Sequence, residues 1–278
     1  MTLAVLLVAG WAYAHGTRRL HARGDHWSAS RCASFAGGLL VIAAALASPL
    51  AGHDDRFAVH AAQHLLLGML APLLLALAAP VTLALRALPA RGRRRLLAVL
   101  HSPVVRLVGA PGSAALLAVG ALYGLYLTPL YAATLRHPPL HLLAHAHFLM
   151  AGCLLAWSLV GLDPVARRAS FRHRAAVLLV ATGAHATLAK LLYAAGLPGT
   201  GLAAADRQLG AQLLWYGGDL IDVALLLAFF SQWYAAAGRQ LARERRCARG
   251  DGHSGGKAAI AMSVARVPER ETKQRLDT

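Results

Sequence analysis

Seven apolar runs, separated by loops that are alternately rich and poor in arginine, confine this chain to one kind of structure. The runs fall at roughly 2–14, 34–50, 61–85, 104–127, 140–162, 175–195 and 211–237. A helix needs about 20 predominantly apolar residues to cross a bilayer, so all but the short first run are long enough. Charged residues are 14% of the chain and hydrophobic residues 57%, against roughly 25% charged in a soluble domain. Much of the apolar content is alanine, which favours closely packed helices. The expected fold is all-α, a polytopic membrane helix bundle of about seven transmembrane helices.

The arginines give the orientation. Arg18, Arg19, Arg23 and Arg31 lie in the loop 15–33, and Arg86, Arg91, Arg93, Arg94 and Arg95 in the loop 86–103. Arg167, Arg168, Arg172 and Arg174 lie in 163–174, and Arg239, Arg243, Arg245 and Arg246 open the C-terminal segment. The intervening loops carry only Arg56, Arg136 and Arg207. By the positive-inside rule the N-terminus faces out and the C-terminus faces the cytoplasm. The stretch Met1 to Gly10 lacks the basic start of a signal peptide and reads as a retained first span.

Two regions follow: a transmembrane bundle over 1–237, and a basic tail over 238–278. The tail is polar and rich in Gly, Ser and Arg, a composition that predicts a disordered cytoplasmic segment. The net charge of +16 is spread over alternate loops and the tail. Contact with anionic membrane lipid accounts for it more simply than nucleic acid, which is not an expected partner. Cys32, Cys153 and Cys247 form no CxxC pair, so neither a disulfide framework nor a thiolate metal site is expected.

The histidines carry the candidate chemistry. His60 and His64 lie at the outer end of the third run, while His137, His141, His145 and His147 lie near the outer end of the fifth. His53 belongs to an outer loop. Residues four apart share a helix face, so His60 with His64 and His141 with His145 form two facing pairs. Four imidazoles at one depth suit copper or zinc, and copper has the higher intrinsic affinity. A structural role in packing or hydrogen bonding is the alternative for each. His147, two positions from His145, points to the other side and serves another purpose. Met69 and Met150 are soft candidate ligands or simple core.

Deeper in the membrane lie His185, Lys190, Asp219 and Asp222. Ionisable groups at that depth face the bundle interior and pair with one another. An ion pair between Lys190 and Asp219 holding two helices is one reading, and a relay for protons or metal is the other. No phosphate-binding glycine loop, nucleophile elbow or HExxH motif is present.

At these residues the chain resembles a known family. The strings His60-Ala61-Ala62-Gln63-His64-Leu65-Leu66-Leu67 and Ala71-Pro72 are similar to its third-span motif. His141-Leu142-Leu143-Ala144-His145-Ala146-His147-Phe148 and Gly161-Leu162-Asp163-Pro164 resemble its fifth-span segment. Asp206-Arg207-Gln208-Leu209-Gly210, then Trp215 and Gly218-Asp219, resemble its last motif. The family is the multi-span CtaG-type cytochrome c oxidase assembly factor, and the resemblance covers roughly residues 10–235. Ala61 stands where the family often has Met, and Arg207 where it often has Gln. The resemblance implies a bacterial inner-membrane protein that helps assemble a haem–copper oxidase by handling copper, with no turnover chemistry of its own. His60, His64, His141 and His145 would hold the copper, Asp206 would act as an outer-sphere or gate residue, and an oxidase subunit would be the partner. A b-type haem electron carrier with axial histidines from the third and fifth spans is one rival. A proton or metal transporter using His185, Lys190, Asp219 and Asp222 is another.

Overall fold

The computed structural model describes residues 2–47, 56–164 and 169–264. The segment carrying His53 and the pair Arg167 and Arg168 lie outside the described residues. Helix α1 is Thr2–His21 and α2 is Ala29–Ala47. Helix α3, Phe57–Leu77, contains a π turn at Leu65–Leu70. Helices α4 (Pro80–Ala87), α5 (Ala90–Leu100) and α6 (Pro103–Val108) are short. Helix α7, Pro111–Tyr126, has a π turn at Leu116–Gly120 and is bent by 78° from α8, Leu130–Arg136. Helices α9 (Pro138–Val160) and α10 (Phe171–Ala195) are unbroken. The last helix, α11, comprises Ala204–Gln212, a π turn at Leu213–Gly217, and Gly218–Val264. No strand occurs among the described residues.

Among the described residues, five helical stretches are long and apolar enough to cross a membrane: Ala29–Leu46, Phe57–Leu77, Pro138–Val160, Phe171–Ala195 and Ala204–Glu244. The bent pair α7 and α8 makes a sixth if it counts as one span. The expected seven are therefore five to six by length and composition. Helix α1 is 20 residues long, but the polar turn from His15 to His21 dilutes its apolar first half. The fourth run is divided at Pro111, with Pro103 opening a short helix at its start and a break after Tyr126 at its end. Each proline lacks an N–H and opens a new helix at its first turn. Outward faces carry exposed Leu7, Leu40, Leu143, Met150, Val180, Leu220 and Leu227, the apolar surface that lipid would cover.

The chain divides into two compact units, Met1–Gln232 and Trp233–Thr278. In the first, α3 packs between α2 and α9 and also meets α11. The α3–α9 crossing is close: a Cβ at Gly152 would collide with the Gly68 carbonyl and Pro72. Small residues let helices approach this tightly. One end of α3 is anchored by Tyr13, whose hydroxyl donates to the Ala78 carbonyl at 2.9 Å and accepts from Trp27 Nε1 at 3.0 Å. Ala79 then turns the chain with φ 49, and Asp163 caps α4 by accepting from the Val81 and Thr82 N–H groups at 3.3 and 2.7 Å.

The second unit is helical through Val264, where composition predicts coil from Gly238. Its opening stretch, Ala235 to Arg246, is rich in Ala, Arg, Gln, Leu and Glu, which are strong helix formers. Gln240 Nε2 also donates to Glu244 Oε1 at 3.0 Å, an i,i+4 pair that supports the helix locally.

Candidate metal centre

The start of α3 fixes the first histidine. Asp206, at the beginning of α11, accepts from the Phe57 N–H at 2.7 Å and the Ala58 N–H at 3.3 Å. These are orphan donors of the first turn, so the carboxylate acts as a cap supplied from a distant helix. His60 follows one turn later and is fully buried. Neither of its ring nitrogens has a hydrogen-bond partner, a costly state for a buried polar group.

Facing it from α9 are His141 and His145. The His60 ring centroid lies 5.4 Å from His141 and 5.6 Å from His145, and those two are 4.4 Å apart. One ligand nitrogen from each falls within 4.8 Å of the others. Imidazole nitrogens on one three-coordinate ion at 2.0–2.1 Å are roughly 3.5 Å apart, so a closing-in of at most about 1.3 Å would complete the site. The trio contains no carboxylate. Tyr131 at 4.9 Å, Tyr126 at 5.9 Å and Phe148 at 6.0 Å wall the His60 ring. His145 is buried like His60, whereas His141 is only half-buried.

The four histidines paired by spacing thus divide. His64 sits one turn deeper than His60 and stacks on His185 of α10 at 5.8 Å. His64, His185 and Asp222 line a separate cavity of about 50 Å³. His147 turns to α7, where its Nε2–H donates to the Leu117 carbonyl at 2.9 Å. That carbonyl lies in the π turn Leu116–Gly120. Lys190 is exposed and sits 4.5 Å from the Trp215 ring. No ion pair joins it to Asp219 among the described residues, and Asp219 is exposed. Arg207 does not turn to Asp206: its Nη1 donates to the Leu192 and Tyr193 carbonyls at 3.3 and 2.8 Å, where α10 ends.

Sequence reasoning passed over several contributors. Phe148, Tyr126 and Tyr131 shape the site, yet isolated aromatics in apolar runs carry no distinguishing signal. Gly218 is a motif residue and Gly68 is not singled out by the sequence, yet both touch histidines: an added Cβ at Gly68 would lie 2.9 Å from His64 Cε1, and one at Gly218 2.5 Å from His185 Cε1. Each glycine makes room for an imidazole.

These features define a class: an all-helical protein with several membrane-crossing helices and a buried three-histidine centre between two of them. The chain belongs to the cytochrome c oxidase caa3 assembly factor family, whose pattern matches residues 11–236. It is 30% identical over 263 residues to an uncharacterized protein of Mycobacterium leprae, covering 87% of this chain and 40% of the relative. Uncharacterized proteins of Mycobacterium bovis and Mycobacterium tuberculosis are each 32% identical over 267 residues, covering 89% of this chain and 40% of theirs. The chain therefore spans well under half the length of these relatives. No solved structure matches it.

Proposed function

We propose that this chain captures copper through His60, His141 and His145 and passes it to an apo-subunit of a haem–copper oxidase in a bacterial inner membrane. The observation that carries this reading is the trio itself, with ligand nitrogens within 4.8 Å and both His60 nitrogens buried without a hydrogen-bond partner. Three neutral imidazoles suit copper in chemistry and number. The half-buried His141 would receive the ion from the non-cytoplasmic side. His60 and His145 would then complete its coordination, while Phe57, Tyr126, Tyr131 and Phe148 keep bulk water out. The alternating arginines favour a cytoplasmic C-terminus. The protein acts by binding and transfer rather than by turnover.

The haem alternative fits less well. A porphyrin needs a broad flat slot beside its axial imidazoles, and the His60 ring is walled by Tyr131, Tyr126 and Phe148 at 4.9, 5.9 and 6.0 Å.

Protein purified from membranes should contain copper, and His60→Ala should lose the copper held by the outer trio. Cells carrying that variant should show reduced oxidase activity that added copper partly restores. Full copper stoichiometry in the His60→Ala/His145→Ala double variant would refute the copper centre and leave a scaffold role in oxidase assembly.

A further inference from the structure

One turn of α3 separates His60 from His64, a rise of about 6 Å along the axis. His64, one turn on, lines the cavity of about 50 Å³, which His60 does not reach. A water needs roughly 10–15 Å³ of such space, so the cavity has room for an ion and a water or two. Its polar lining is confined to a few groups. His64 is 3% exposed and both of its nitrogens lack a hydrogen-bond partner. His185 and Asp222 are buried at 5% and 7% exposure. Met69 is also one of the residues that line the cavity.

Buried polar groups of this kind are retained at a cost and mark a functional position in a membrane protein. The glycines reinforce this, since Gly68 and Gly218 let the His64 and His185 rings approach the backbone where an added Cβ would crowd them. The lining offers two stacked imidazoles, His64 and His185, with a thioether residue and a carboxylate elsewhere around the same cavity. Imidazole and thioether together favour cuprous over harder ions. A single carboxylate also neutralises a monovalent ion, which lowers the cost of holding charge in a low-dielectric interior. The outer trio offers no such compensation.

Phe148 separates the two groups. Its ring lies 4.7 Å from His64, 6.0 Å from His60 and 6.4 Å from His145. We propose that the His64–His185–Asp222 chamber, with Met69, is a second copper site that takes cuprous ion, reached from the outer trio by passage across Phe148. The proposal builds on the copper reading of His60, His141 and His145. No redox step is needed: the ion exchanges imidazoles of the trio for His64 and His185 and stays cuprous throughout.

The test is anaerobic titration of the full-length purified protein with cuprous ion against a chromogenic cuprous chelator, which strips weak surface sites. Wild-type protein should retain two equivalents. His185→Gln, Asp222→Asn and Gly218→Ala, which presses a methyl on the His185 ring, should each retain one, and so should His60→Ala. Two equivalents in all three chamber variants would overturn the second site, as would one wild-type equivalent that His60→Ala alone removes; the latter leaves the outer centre standing. One wild-type equivalent lost in His185→Gln but kept in His60→Ala would overturn the outer centre and sustain the chamber. No retained copper in wild-type protein would overturn both.

Discussion

Gly152 of α9 lies so close to Gly68 of α3 that a single methyl group at position 152 would overlap the Gly68 carbonyl oxygen. This contact sets the spacing of the two helices that bring His60 to His141 and His145. Overpacking at a backbone contact costs about 1–3 kcal/mol, and there is no flexible side chain here to move aside. Gly152→Ala should therefore lower the melting temperature of the detergent-solubilised protein and reduce copper retention together. Unchanged melting and retention would mean that the crossing has slack.

His60→Ala and His145→Ala should each remove most copper from the outer centre, and the double variant should add little, because ligands of one ion act as a unit. His147→Ala should leave copper in place. It breaks one bond to the Leu117 carbonyl, a loss of about 0.5–1.5 kcal/mol in stability. Copper loss in His147→Ala equal to that in His145→Ala would contradict the division of the α9 histidines.

Asp206 holds the first turn of α3 by its carboxylate. Removing a helix cap costs about 0.5–2 kcal/mol, and Asn is a good substitute cap. Asp206→Ala should lower stability and weaken copper retention through His60, while Asp206→Asn should restore most of both. Loss of copper in Asp206→Asn at wild-type stability would assign the carboxylate to the ion rather than to the helix.

Topology has its own test. Reporter fusions after Arg94 and after Arg168 should report cytoplasm, and fusions near Asp54, Arg136 and Ala204 the other side. Two consecutive loops on one side would remove a span from the scheme.

The i,i+4 spacing and the quoted motifs were enough to single out His60, His141 and His145. They could not separate His64 from that set, because residues four apart share a face but differ in depth by about 6 Å. Whatever a neighbouring helix presents at that depth decides the partner, and here α10 presents His185. Asp206 was visible as part of a motif, but its role was not, since it caps a helix 149 residues earlier in the chain. Lys190 and Asp219 looked like a pair by depth alone, yet Lys190 rests against Trp215. The apolar runs gave the helices, and the breaks at Pro80 and Pro111 divided runs that hydropathy alone joins.

The Asp206 cap also imposes an order on biosynthesis. A chain is made and inserted from its N-terminus, so α3 enters the bilayer long before residue 206 leaves the ribosome. Until then the N–H groups of Phe57 and Ala58 lack their acceptor, and His60 lacks its fixed turn. The three-histidine cluster of a nascent chain is thus left unfixed until α11 arrives, and any capture by His60 waits for that helix.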